Sequence, residues 1–118
     1  MGFNEHTVIC TYRVKAGARD AFLELLKKHW PALRSVGLAS ETPPMILEAH
    51  PDGKPQHSET GPTFVEIFSW ASAEASGVAH KTPQAMAVWE PMGALVESRD
   101  GRPAMEFPHY RPLTIAAV

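Results

Sequence analysis

Apolar residues recur at two-residue steps in some stretches of the chain and at three- and four-residue steps in others. Residues His6 to Val14 (HTVICTYRV) put Val8, Cys10, Tyr12 and Val14 on one face, a period that predicts a strand. Lys15-Ala16-Gly17 reads as a turn. Beyond it Phe22, Leu25, Leu26, His29, Leu33 and Val36 form one stripe at helical spacing. Pro31 has no N–H for the carbonyl of Lys27, so a kink or interruption is expected there, and Gly37 is placed to end the helix. After Pro43-Pro44, the apolar run Met45 to Ala49 predicts a second strand. His50 to Pro62 (HPDGKPQHSETGP) is dense in turn formers and reads as an exposed, mobile loop. Thr63 to Trp70 (TFVEIFSW) is the clearest strand. Ser72 is placed to cap a short helix through His80, with Glu74 in its first turn. Thr82 and Pro83 then give a cap and a first helical position. Along that helix Met86, Trp89 and Val96 line a face, with Pro91 as a kink. Pro103 to Tyr110 (PAMEFPHY) is a last strand.

The order β-α-β-β-α-β implies an α+β fold, a ferredoxin-like four-stranded antiparallel sheet with both helices on one face. The last strand is then an edge, where Pro108 is tolerated. The opposite face of such a sheet is bare, and alternation ordinarily makes it polar. Here Ile9, Val65 and Ile67 occupy it, so an apolar patch is expected, and a two-fold homodimer burying two such faces is its simplest cover. The apolar tail Leu113 to Val118 is long enough to reach across that interface.

At 118 residues the chain is expected to be a single domain, with a core over about 6–112 and a C-terminal arm at 113–118. A net charge of −2 with both signs interspersed offers no basic stripe for nucleic acid and no polybasic segment for an anionic membrane. The single cysteine, Cys10, cannot close an intrachain disulfide. There is no apolar run of membrane-spanning length and no signal-peptide pattern, so a cytoplasmic location is expected.

Several residue sets resemble those of the antibiotic biosynthesis monooxygenase-like proteins, members of the dimeric α/β-barrel superfamily. They are FVEIFSW, the helix ending AHKTP, MAVWEPM, the closing MEFPHY, and the opening TYRVKAGARDAFLELL. The resemblance spans roughly His6 to Pro112 and is more specific for fold than for activity. It implies a dimer whose two sheets close into a barrel, with a small pocket between sheet and helices in each subunit. Activities in the superfamily include cofactor-free oxidation of quinol-like aromatics, haem degradation, and cyclisation or isomerisation. Many relatives carry a histidine before a Ser/Thr-Pro pair, the position of His80. The haem-degrading branch wants an asparagine on the first strand and a histidine near the position of Trp89; this chain has neither.

His80 is a candidate acid-base group, because imidazole titrates near neutrality. Alternatively it completes the C-terminus of its own helix. His29 lies on an apolar stripe and must either face a pocket or be satisfied within the core. Glu66 shares a face with Phe64 and Phe68, so it is either a desolvated general base or the partner of an arginine such as Arg13 or Arg111. His80, His29 and Glu66 are therefore the candidate catalytic residues. Phe68, Trp89, Met86 and Tyr12 are the candidate ligand-binding set, though stripes of this kind also build ordinary cores. His50 and His57, with Asp52 and Glu59, lack metal-ligand spacing and read as a solvated loop. His109 is expected to be interfacial or exposed, and Cys10 a small buried residue. No phosphate loop, dinucleotide fingerprint or nucleophile elbow is present, so no cofactor and no metal are expected. Two functions follow from this reading. One is a cofactor-independent monooxygenase acting on a small aromatic or quinol, with a cyclase or isomerase as its variant. The other is a non-catalytic dimer that binds a small ligand or a partner protein.

Overall fold

The computed structural model describes residues 2–49 and 61–115. Most of the expected loop, with His50, His57, Asp52 and Glu59, lies outside the described residues, as does 116–118 of the arm. The elements are β1 (Thr7–Arg13), α1 (Arg19–Ser35), β2 (Met45–Glu48), β3 (Thr63–Ser69), α2 (Ala75–Ala79), α3 (Pro83–Ala94), β4 (Met105–Glu106) and β5 (His109–Tyr110). The strands pair antiparallel in the order β2-β3-β1-β4, with β5 also on β1. That is the ferredoxin-like arrangement, an α+β fold with α1 and α3 packed against each other.

Alternation along β1 and β3 sets which face is covered. In their register Val8 meets Phe68, Cys10 meets Glu66 and Tyr12 meets Phe64, and all six are buried. Phe22, Leu26, His29 and Leu33 of α1 cover this face, with Ala85, Val88 and Met92 of α3. Phe22 lies parallel to Phe64 at 6.0 Å between ring centroids and tilts against Tyr12 at 5.1 Å. Each fully buried side chain of this size contributes roughly 1.5–3 kcal/mol of transfer free energy.

Four sequence expectations need correction. Helix α1 runs through Pro31 without interruption. Pro31 stands on the exposed side, so the Lys27 carbonyl that loses its donor is left to solvent. Ser72 does not cap α2; Glu74 holds the cap position and makes no side-chain cap bond. Thr82 does precede Pro83 at the start of α3, but its hydroxyl donates to the Val78 carbonyl (2.7 Å) instead of capping. The last strand is two short pieces, because Phe107-Pro108 break the pairing and Pro108 supplies only a carbonyl, which accepts from Ile9 N–H (3.0 Å).

Gly37 ends α1 as expected. It sits at φ +75°, with its N–H on Arg34 O (3.1 Å) and the Leu38 N–H on Leu33 O (2.9 Å), a Schellman closure. Arg99 fastens the far end of the sheet. Its guanidinium donates to Val14 O (2.9 Å), Pro62 O (3.1 Å) and Thr63 Oγ1 (3.1 Å), joining the end of β1 to the start of β3. Asn4 does the same at the other end, donating to Trp70 O (3.0 Å) and accepting from His6 N–H (2.7 Å).

The second face of the sheet is uncovered in the single chain. Ile9, Ile67 and Met45 form one row across it, and Thr11, Val65 and Leu47 the next. Met45 and Leu47 are 50% and 48% exposed. Leu113 and Ile115, at the start of the arm, are 77% and 82% exposed. No described helix is long and apolar enough to cross a membrane.

Candidate functional site

Three elements each carry one polar side chain into the covered face: Tyr12 from β1, Glu66 from β3 and His29 from α1. With Glu66 0% and His29 3% exposed, none can rely on water, so they satisfy one another. Tyr12 donates its hydroxyl to Glu66 Oε1 (2.7 Å), and His29 Nδ1 lies 2.8 Å from the same oxygen. On the other side of the imidazole, Trp89 Nε1–H donates to His29 Nε2 at 2.8 Å.

That last bond fixes the tautomer. An indole nitrogen only donates, so Nε2 is the acceptor and the ring proton of neutral His29 sits on Nδ1, facing Glu66. The imidazole is thus oriented by a buried carboxylate, with its basic nitrogen turned away from it, as in general-base dyads. The two bonds differ in strength. A hydrogen bond to a charged group is worth about 1.5–3 kcal/mol, a neutral one about 0.5–1.5. The Glu66 link is the anchor, and the Trp89 link is the weaker. Glu66 Oε2 is buried and has no partner among the described residues. Neither Arg13 nor Arg111 pairs with Glu66, correcting that alternative. Arg13 points to the other face and bonds Glu106 and the Pro103 carbonyl (2.7 Å), as period-two alternation after Tyr12 requires.

Burial, and after it the charge of Glu66, push the Tyr12 phenol well above its ordinary range. The same two causes in the same order push the Cys10 thiol up, so it stays a neutral small side chain.

Next to this cluster is a cavity of about 290 Å³ between sheet and helices. His29, His80, Phe68, Trp89, Met86 and Tyr12 all line it, while Glu66 stands behind the wall and reaches it only through His29 and Tyr12. His80 is the C-cap residue of α2 and is exposed. Its ring makes no hydrogen bond to its own helix among the described residues. It leans on Trp89 instead, 4.9 Å between centroids. The ring of Phe68 meets His29 edge-on at 5.4 Å. The buried stripe of α3 is Ala85, Val88 and Met92; Met86 and Trp89 are half-buried because they face the cavity.

Sequence reasoning did not single out Met92, Met105 or Phe107 as cavity-lining residues, nor place His109 there. Phe107 and His109 flank the break at Pro108, and the signal for them was that proline. A strand that stops at Pro108 frees its neighbours to turn toward the cavity mouth. Among the described residues no group of three His, Cys, Asp or Glu side chains is placed to hold a metal ion.

No family model matches the chain, and no curated protein matches it in sequence. Solved structures do. A candidate antibiotic biosynthesis monooxygenase from Nitrosomonas europaea superposes with a TM-score of 0.64 at 12% identity, covering 96% of this chain and 96% of that one. SnoaB from Streptomyces nogalater, a cofactor-independent oxygenase whose structure is that of a mutant, gives 0.59 at 14% identity over 92% of this chain and 93% of its own. At3g17210 from Arabidopsis thaliana gives 0.65 at 12% identity, over 94% and 98%. The chain therefore has the ferredoxin-like α+β fold of the antibiotic biosynthesis monooxygenases, as its motifs suggested.

Proposed function

We propose that the protein is a cofactor-independent oxygenase acting on a small electron-rich aromatic of the quinol type. The observation that carries this reading is the Glu66–His29 dyad at the wall of an apolar cavity whose other walls include Phe68, Trp89 and Met86. At about 290 Å³ the cavity is just below the roughly 300–1,000 Å³ usual for ligand sites, which suits one to three fused rings. A flat substrate between aromatic walls loses its water, and a base removes a proton to make it a strong reductant. The anion reduces dioxygen directly. One oxygen atom enters the ring as a carbonyl in place of two hydrogens, the other leaves as water, and the substrate supplies every electron.

His29 is the proposed base, and Glu66 the positioning residue that holds its tautomer and would stabilise its protonated form. His80, at the exposed side, is proposed to return a proton to the leaving oxygen. Phe68, Trp89, Met86 and Tyr12 form the binding walls. The fold shared with SnoaB supports the same chemistry, and a two-fold dimer through the open sheet face belongs to the proposal.

The test is oxygen uptake with a panel of anthrone- and quinol-type aromatics, without added flavin or metal. Uptake is expected in the native protein and is expected to fall by about 10²–10⁴ in His29→Gln. The His80→Ala variant is expected to lose turnover while keeping its melting temperature. Binding of the panel with no uptake would replace this reading by the non-catalytic one, a small-ligand carrier on the same cavity.

A further inference from the structure

In the empty cavity the basic nitrogen of His29 is already occupied. Trp89 Nε1–H holds it at 2.8 Å, so a ligand that uses this nitrogen must first take the place of the indole. Of the two rings, His29 cannot yield. Its Nδ1 is tied to a carboxylate that is 0% exposed, and the ring of Phe68 packs nearly perpendicular to it, 5.4 Å between centroids. Trp89 can. It is half-buried on the cavity wall, between His29 and His80, and this bond is its only hydrogen bond among the described residues.

Displacement has a cost that selects the ligand. A group that merely accepts, such as an ether or ketone oxygen, can take the indole N–H but leaves His29 Nε2 bare. A group that merely donates satisfies Nε2 and strands the indole. A hydroxyl does both through one oxygen. We propose that a phenolic or enolic hydroxyl inserts into the Trp89–His29 bond, donating to His29 Nε2 while accepting from Trp89 Nε1–H. The inference rests on the oxygenase reading for the identity of the base and adds the functional group that the site recognises.

The arrangement also carries the proton step. The ligand O–H bond breaks, an N–H bond forms at Nε2, and a neutral pair becomes phenolate and imidazolium. Trp89 N–H stays on the phenolate oxygen. Both imidazolium nitrogens are then donors, one to the phenolate and one to Glu66 Oε1, so neither new charge is left without a partner.

The experiment compares 1-naphthol with 1-methoxynaphthalene, equal ring systems of which only the first can donate. Binding is followed by titration calorimetry, and His29 by ¹⁵N NMR in protein labelled at histidine. Naphthol is expected to bind roughly tenfold or more tightly, the equivalent of about one hydrogen bond. The His29 Nε2 resonance should move toward its protonated position on saturation with naphthol and not with the ether. Trp89→Phe keeps an aromatic side chain and removes the N–H that competes for Nε2, so the preference should persist or grow. Equal affinities, no binding of either, an unmoved His29 resonance, or a preference lost in Trp89→Phe would each overturn the proposal. Hydroxyl preference without oxygen uptake leaves this inference standing and removes the oxygenase reading; uptake without hydroxyl preference does the reverse.

Discussion

Glu66 is a carboxylate in the middle of an apolar strand face, and its solvation comes from two donors sharing one oxygen. Removing either donor should therefore cost more than an average surface hydrogen bond. Tyr12→Phe keeps the ring against Phe22 and takes away only the hydroxyl. A loss of about 1–3 kcal/mol is expected in guanidinium unfolding, because a buried charge-bearing group is left short of a partner. No loss would mean that His29 alone solvates the carboxylate. The members of this cluster were each visible in the sequence as a polar residue on an apolar face: Tyr12 beside Cys10, His29 between Leu25 and Leu33, Glu66 between Phe64 and Phe68. Their meeting was not visible. It depends on the pairing of Cys10 with Glu66 and on where α1 lies over the sheet, neither of which alternation specifies. One warning was there: Arg13 follows Tyr12 directly and so had to point away from Glu66.

Helix α1 shows how a helix-breaking residue can act strongly or weakly depending on where it stands. Pro31 is inside the helix and does not end it, whereas Gly37 does, because only the glycine holds a backbone that other residues resist. At Gly37 an added Cβ meets nothing within 4 Å, so the cost of Gly37→Ala is conformational alone. A destabilisation of about 1–2 kcal/mol is expected, read as a lowered melting temperature with the Trp89–His29 contact unchanged in its near-ultraviolet signal. A neutral substitution would show that the Schellman closure on Leu33 and Arg34 is dispensable. Periodicity gave β1 and β3 to within a residue and the buried stripe of α1, since long patterns average over local noise. It misplaced the stripe of α3, where Met86 and Trp89 face a cavity and Ala85, Val88 and Met92 face the core. A cavity and a core look alike in a hydrophobic pattern, as both want apolar side chains. It also fused β4 with β5, because Phe107-Pro108 preserves alternation while breaking the hydrogen-bond ladder.

At the level of the whole molecule, the sheet has one finished face and one unfinished. The finished face holds the core and the cavity. The other carries Ile9, Val65, Ile67, Met45 and Leu47 in two adjacent rows; Leu113 and Ile115 of the arm are also exposed. A continuous patch of this kind is costly to leave in water and is usually covered. Ile67 sits in the middle of it, paired on one side with Ile9 and on the other with Met45, and its side chain plays no part in the cavity. A charge there has little to disturb within the subunit and much to disturb between subunits. In the proposed dimer, sedimentation should report twice the 12.9 kDa chain mass for the native protein. Ile67→Glu should sediment as a folded monomer, because two-fold symmetry would bury two unpaired carboxylates in the interface. The Glu66–His29–Trp89 chain lies on the opposite face, so hydroxyl-selective binding should survive in that monomer if one subunit makes a complete site. Loss of binding on dissociation would mean that the second copy shapes the cavity mouth near Phe107 and His109. A native protein that sediments as a monomer at every concentration would instead sink the dimer and require another cover for this face.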